Sequence, residues 1–537
     1  MTNQSDIHDK TLRVAWWALA VIAFGVTVAI RIRLLGIPLE RDEGEYAYAG
    51  QLMLQGIAPY ELAYNMKFPG TYAAYALIMS LFGQTISGIH IGLLLVNAAT
   101  VVLIFLLGRR LKDWIAGMAA AISYAVISLS TSVLGLASHA THFVMLPLLG
   151  GAFLLLNQSD RRLSGLLFGS GLLFGLGVLM KQPAAFFVLF GAIYFLVKDS
   201  RRRLGFERVL VRNVVFGAGV IFPFGITCLL LWSTGVFDKF WFWTVNYARE
   251  YATMVPLRQA VQLFADSLRH VLGAAWPLWV LAVAGLIAGL WGARTRSATS
   301  FVLGLLVFSL LALCPGFYFR HHYFVLLLPA LSLLIGIAIS GLSDLIAGCP
   351  RIIRFVPLLL LGVAVGLPMF WEKKLFFEVS PTEACRVIYP ESPFPESIRI
   401  AGYVHDHSNP NDTIAVMGSE PQIYFYSNRH SATGYIYTYG LMERQKYAQA
   451  MQQEMIREIE FARPKYLISV VMEDSWLPRP GSDRQIFAWA NEYTGKYYDV
   501  VGFVNIVAPD RSDYYFDEVP KSVPRLGSYI LIYRRKA

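Results

Sequence analysis

ISGIHIGLLLVNAATVVLIFLLGRRLKDWIAGMAAAISYAVISLSTSV, residues 86–133, is the stretch whose reading decides the fold. Two apolar runs, 86–107 and 114–133, flank one basic knot, Arg109-Arg110-Leu111-Lys112. Each run is near the length a helix needs to cross roughly 30 Å of hydrocarbon. A short loop rich in Lys and Arg between two such runs belongs on the cytoplasmic side. Working outward, the pattern repeats at 13–35, 138–156, 163–179, 183–197, 212–233, 271–291, 299–315, 322–341 and 353–370. With the first two runs this predicts about eleven membrane spans. Residues 70–83 are apolar but too short to cross comfortably, and are expected in or near the interface.

Composition agrees. The chain is 56% hydrophobic and 15% charged, where a soluble globular chain carries roughly 25% charged residues. The net charge of +10 sits in the loops between spans, which argues for contact with membrane lipids and against nucleic acid. Cys228, Cys314, Cys349 and Cys385 are scattered without a CxxC or Cys/His spacing, so neither a zinc site nor a disulfide framework is supported. The first apolar run follows a polar N-terminus and lacks a small-residue cleavage site, so it reads as a retained span.

The basic loops also set the expected orientation. Arg109 to Lys112, Arg161-Arg162, Lys198 to Arg212, Arg294/Arg296 and Arg351/Arg354 fall on one side, and the alternate loops are much poorer in positive charge. This places the N-terminus in the cytoplasm of a multi-pass protein of the inner (cytoplasmic) membrane. The loop 38–85, the long loop 234–270 and everything after about residue 370 are then outside. Two domains follow: a transmembrane catalytic domain, 1–370, and a soluble extracytoplasmic α/β domain, 371–537. The second begins Pro390-Glu391-Ser392-Pro393-Phe394-Pro395. Strands are predicted at 412–418, 465–471 and 528–533, and an amphipathic helix at 441–462.

The first outside loop holds the chemistry-bearing residues. It opens Glu40-Arg41-Asp42-Glu43-Gly44-Glu45-Tyr46, and Tyr46, Ala49/Gly50, Met53 and Leu54 then repeat at helical spacing. An amphipathic helix at the membrane surface is expected. Asp42 and Glu43 stand at its start, where capping and the helix dipole alone would account for them. The functional alternative makes them a catalytic pair, with a carboxylate acting as general base. Lys67 in NMKFPG, Lys181 in MKQP and Arg320 in RHH lie near hydrocarbon on the same predicted side. Cations there are costly and suggest a function, and a phosphate would satisfy several together. Lys67, Lys181, Arg320, His321, His322 and Tyr46 form the predicted substrate-binding set. His321-His322 equally suits a hydrogen-bonded interface position. Arg31 and Arg33 are expected to snorkel to headgroups. His139 and His142 read as packing residues, since no third metal ligand is evident. Trp241, Trp243 and Tyr247 fit an interfacial aromatic belt. Gly418 to Gln422 reads as a strand-to-helix turn.

Five stretches together resemble the membrane glycosyltransferases of the GT-C fold, in particular the protein O-mannosyltransferase-like family 39, which includes bacterial aminoarabinose transferases acting on lipid A. They are ERDEGEYAYAGQLMLQGIAPY (40–60), NMKFPGTYAAYALIMSLFG (65–83), GLGVLMKQPAA (175–185), FYFRHHYFVLLLPALSLL (317–334) and MGSEPQIYFYSNRHSATGY (417–435). The resemblance implies a polytopic α-helical membrane domain and a polyprenyl-phosphate-linked sugar donor, with an acceptor it does not identify. Asp42 matches the family's catalytic carboxylate, with Glu43 beside it. Lys67 matches a basic residue that contacts the lipid phosphate, and Lys181 and Arg320 fall where basic or polar groups approach it. One departure stands out. Many relatives carry an acidic residue in the second outside loop, where this chain has SHATHF (138–143). That puts a metal bridge there in doubt; no cofactor is assigned, although the resemblance leaves room for a divalent metal. A transporter or flippase of a lipid-linked precursor is the rival reading. It predicts related halves and ionisable groups at mid-bilayer, whereas no repeat is found and the ionisable groups gather at one face. A non-catalytic envelope scaffold is a third reading.

Overall fold

The computed structural model describes residues 4–157, 163–291, 296–508, 510–519 and 527–536. Arg161, Arg162 and Arg294 of the predicted basic loops lie outside the described residues. The chain forms two compact units. A helical unit takes Met1–Leu34, His90–Thr227 and Val255–Val379, and a mixed unit takes Leu35–Ile89, Cys228–Met254 and Ser380–Ala537. This division differs from the linear one at residue 370. The first outside loop and part of the long loop belong to the same unit as the C-terminal segment, because their helices and aromatic side chains pack with it.

In the helical unit, apolar length decides which helices form spans. Seven described helices are long and apolar enough to cross a membrane: Lys10–Arg33, Ile86–Leu111, Gln182–Arg201, Phe206–Ser233, Arg296–Leu313, His321–Leu345 and Arg351–Trp371. Trp114–Ile127, Ala140–Leu156 and Ser164–Met180 are apolar but shorter. An eighth span would come from Leu257–Leu272 and Trp276–Leu290, a pair bent by 107°. Gly273 sits at that bend with φ 23°, a conformation that L side chains rarely adopt. The chain is therefore a multi-pass membrane protein with a helix at each predicted span. Where the sequence suggested one long loop at 234–270, it forms the helices Phe237–Trp241, Ala248–Ala252 and Leu257–Leu272.

The span from His321 is the most enclosed, with 83% of its apolar window buried, whereas that of Phe206–Ser233 is 22% buried. Apolar side chains on the latter, such as Leu229 and Ile221, remain exposed, as expected of a lipid-facing helix. Arg31 and Arg33 do not snorkel. Arg31 is buried and donates to the Ser128 carbonyl at 3.0 Å, and Arg33 donates to the carbonyls of Phe376 at 3.1 Å and Val379 at 2.5 Å. Backbone acceptors freed at helix ends take the place that headgroups were expected to fill.

The mixed unit is built on one five-stranded sheet, in order β1-β2-β5-β3-β4. The strands are β1 (Ile414–Met417), β2 (Tyr466–Val471), β3 (Tyr498–Ala508), β4 (Arg511–Phe516) and β5 (Tyr529–Arg535). β1 and β2 pair in parallel. Parallel neighbours need a crossover, and the helix Ala448–Ala462 lies within the connection. The remaining pairs are antiparallel. The predicted helix 441–462 is two pieces, Tyr439–Met442 and Ala448–Ala462. Trp243 and Tyr247 are not part of a lipid belt. Both are buried in this unit, with Tyr64 stacked on Trp243 at 5.6 Å and Tyr247 donating to Glu443 at 2.7 Å.

Candidate active site

The chain from Glu40 builds the site one residue at a time. Helix α1 is Gln4–Arg33, α2 is Arg41–Leu54 and α3 is Gly70–Phe82. Glu40 is the N-cap of α2: its carboxylate accepts from the Glu43 N–H at 2.9 Å, and Glu43 accepts from the Glu40 N–H at 3.2 Å. This reciprocal capping box satisfies two otherwise orphaned donors. Burial, and then Asp42 and Glu43, push the Glu40 carboxyl well above the usual carboxylate range. Glu40 and Glu43 thus make the cap.

Asp42 and Glu45 are three residues apart and share one face of α2. Lys67 stands between them. Its Nζ is 2.8 Å from Asp42 Oδ1 and 2.6 Å from Glu45 Oε2. Glu45 is held hard: it also accepts from Asn65 at 2.8 Å and from the Tyr72 hydroxyl at 2.6 Å, and its side chain is 1% exposed. Asp42 and Lys67 keep more access, at 16% and 23% exposed. Burial works against the Lys67 ammonium, but Asp42 and Glu45 outweigh it and hold the group well above an ordinary lysine. Burial pushes the Glu45 carboxyl up, and Lys67 offsets part of that. The Lys67 carbonyl, in turn, accepts from the Tyr60 hydroxyl at 2.7 Å. The Tyr46 ring lies under Lys67 at 4.6 Å and packs against Tyr72 and Tyr75. Tyr46 therefore supports the ammonium from behind.

The C-terminal segment closes on the same helix. Arg41 donates to the Ser419 carbonyl at 2.6 Å, the Tyr439 hydroxyl at 2.5 Å and Glu420 at 3.2 Å. Its guanidinium also faces the rings of Phe394 and Tyr439. Gly44 seats the helix: a Cβ there would meet the Gln422 backbone nitrogen at 2.7 Å. Gly44→Ala should therefore destabilise the protein by about 1–3 kcal/mol through overpacking. Thermal unfolding of the two proteins in detergent checks this, and an unchanged midpoint would contradict the seating.

The other predicted residues lie in the helical unit. The Lys181 ammonium stands 4.0 Å over the Tyr323 ring. His322 is edge-on to Tyr323 at 4.7 Å and stacks on His139 at 4.1 Å. His321 stacks on His270 at 4.0 Å, and Arg320 faces the Tyr318 ring at 5.8 Å. Lys181, Tyr323, His322 and His139 thus form one continuous chain of contacts. His142 is buried, in keeping with a packing role. Sequence reading missed Glu45, Tyr437 and the Arg41–Glu420 pair. Glu45 had a signal, its helical spacing from Asp42; Tyr437 and Glu420 join the site only through the tertiary fold.

Comparison with known proteins bears on the fold. The family model described as dolichyl-phosphate-mannose-protein mannosyltransferase matches residues 67–243. The undecaprenyl phosphate-alpha-4-amino-4-deoxy-L-arabinose arabinosyl transferases of Pseudomonas paraeruginosa and Pseudomonas aeruginosa are each 33% identical over 128 residues. That alignment spans 23% of this chain and 23% of each relative. The crystal structure of ArnT from Cupriavidus metallidurans bound to undecaprenyl phosphate superposes with a TM-score of 0.60 at 14% identity, over 97% of both chains. The Archaeoglobus fulgidus oligosaccharyltransferase AglB, in complex with an inhibitory peptide and a dolichol-phosphate, gives 0.53 at 12% identity, over 94% of this chain and 75% of that one. At such identities the likeness is one of fold, and the chain has the GT-C fold.

Proposed function

We propose that this GT-C chain is a membrane glycosyltransferase that moves a sugar from a polyprenyl-phosphate donor to an acceptor at the outer face of the cytoplasmic membrane. The observation that carries the reading is the carboxylate of Asp42, partly accessible at the start of α2 and held 2.8 Å from Lys67. The partial match to arabinosyl transferases and the full-length likeness in fold to an undecaprenyl-phosphate-bound protein favour a pentose or aminopentose and a C55 lipid. The acceptor is a lipid, glycan or protein bearing a hydroxyl or amine.

In the step we infer, the acceptor oxygen or nitrogen attacks the anomeric carbon while Asp42 takes its proton. The bond from the anomeric carbon to the phosphate oxygen breaks, and polyprenyl phosphate leaves as an anion. A single displacement inverts the anomeric centre. Lys67 holds the Asp42 carboxylate in place until the acceptor arrives. Lys181 and Arg320, with the adjacent His321 and His322, are the proposed contacts of the donor phosphate, whose growing charge a cation stabilises. Glu43 serves as the cap. Glu43→Gln, whose amide oxygen can still accept from the Glu40 N–H, should keep transfer within about threefold of the parent; a loss as large as that of an Asp42 variant would restore Glu43 to the chemistry. In this reading the Lys- and Arg-rich loops keep the N-terminus in the cytoplasm and the C-terminal segment outside.

Mass spectrometry of envelope glycolipids and glycans from cells with and without the gene tests the reading. One species should lose a single sugar mass when the gene is absent. Identical envelope profiles across lipid, polysaccharide and protein fractions would overturn it.

A further inference from the structure

Resting on that reading, we propose that the C-terminal segment takes part in the transfer step through Tyr437, a positioning residue that orients the Asp42 carboxylate. The Tyr437 hydroxyl donates to Asp42 Oδ1 at 3.5 Å, the same oxygen that Lys67 reaches at 2.8 Å. The Tyr437 ring also faces the Lys67 ammonium at 5.6 Å, as does the Tyr46 ring at 4.6 Å. One donor fixes where a carboxylate oxygen sits. Two donors converging on one oxygen from different segments also fix the rotation of the carboxylate plane. That rotation decides whether the remaining oxygen faces an incoming proton, and small errors of aim at a reacting centre are costly.

Tyr437 is itself held in place. Its ring meets Tyr439 edge-on at 4.8 Å. The Tyr439 hydroxyl donates to the Asp474 carbonyl at 2.7 Å and accepts from Arg41 at 2.5 Å. Between them, Thr438 exchanges hydrogen bonds with Ser419 at 2.9–3.0 Å and donates to the Ser475 carbonyl at 3.1 Å. Ser475 donates to Glu420 at 2.6 Å, and Glu420 closes the loop on Arg41. Arg41 precedes Asp42 in the chain, so one buried bracket fixes both the helix that carries the base and the strand of residues that aims it. Glu420 is fully buried and paired, a costly arrangement that is well suited to specifying one geometry.

The test uses the full-length protein in nanodiscs, added to membranes of a strain lacking the gene. A panel of labelled undecaprenyl-phosphate pentose, aminopentose and hexose donors is supplied, and the membranes provide the acceptor. Tyr437→Phe should lower kcat about tenfold, with KM for the donor held within about twofold and the unfolding midpoint unchanged. On an Asp42→Glu background, whose longer side chain already moves the carboxylate out of register, Tyr437→Phe should cost nothing further. A parent-like kcat for Tyr437→Phe, or an equal loss on both backgrounds, overturns the proposal while leaving the glycosyltransferase reading in place. A parent protein that consumes no donor overturns both.

Discussion

Asp42→Asn should lower sugar transfer by about a thousandfold, the span expected when a general base is removed, and leave the protein folded. The exchange is isosteric. The amide oxygen can still accept from Lys67, and Glu45 keeps its own 2.6 Å contact with that ammonium. The amide nitrogen cannot accept the acceptor's proton at any working pH. The unfolding midpoint should stay within about 2 °C, since no buried charge is left unpaired. Steady-state transfer and thermal unfolding measured on one preparation separate the two effects. Near-normal turnover in Asp42→Asn would remove Asp42 from the mechanism.

Lys67→Met should fail on both counts. It removes the partner of Asp42 and leaves Glu45 buried without its cation, and breaking a buried pair from one side costs about 3–5 kcal/mol. Transfer should fall at least about a hundredfold as Asp42 loses its anchor. The stability loss should depend on pH with a definite sign. The Glu45 carboxyl already lies above its ordinary value because of burial, and Lys67 is what restrains it. Without Lys67 it rises further, so the folded variant holds a proton that the unfolded chain releases. Stability contributed by such a group is present at low pH and is lost as pH rises through the folded value. The midpoint deficit of Lys67→Met should therefore be larger at pH 8 than at pH 5.5. The Lys67 ammonium, raised above an ordinary lysine, stays charged across that window and adds no pH dependence of its own to the parent. Adding Glu45→Gln should recover most of the midpoint and none of the activity. Unfolding midpoints of the three variants at both pH values decide it; a pH-independent deficit would mean that Glu45 is not the group left exposed to the loss.

The membrane architecture was legible because it rests on length. A run of roughly 20 apolar residues bounded by Arg and Lys has few other solutions. The shorter helices such as Trp114–Ile127 were placed correctly but read as longer, since the apolar run continues past Ile127 into a short turn at Thr131–Val133. Asp42 and Lys67 were found separately, through position and cost, and the sequence alone does not bring them together across 25 residues. Asp42 and Glu43 were read together from their shared place at the start of the surface helix. On a helix, neighbours point about 100° apart, and the carboxylate that shares Lys67 with Asp42 is three residues on, at Glu45. The spacing Glu40-x-x-Glu43 carried the capping box openly. β3 and β4 were missed because residues 498–516 pair their apolar side chains, as in Val500-Val501 and Phe503-Val504, and show no strand-like alternation. Trp243 and Tyr247 look like belt residues in one dimension, since burial by a distant segment leaves no local mark.

The central claim is that a carboxylate and a lysine on and beside α2 make this membrane protein a transferase and not a carrier. Following undecaprenyl phosphate and sugar together, in nanodiscs of the full-length protein with membrane acceptors, tests it most directly. The account predicts that one donor of the panel loses its sugar to an acceptor with inversion, releasing one undecaprenyl phosphate per sugar moved, and that Asp42→Asn stops both. Donor that crosses a proteoliposome bilayer intact, with no sugar transferred and no effect of Asp42→Asn, would contradict it.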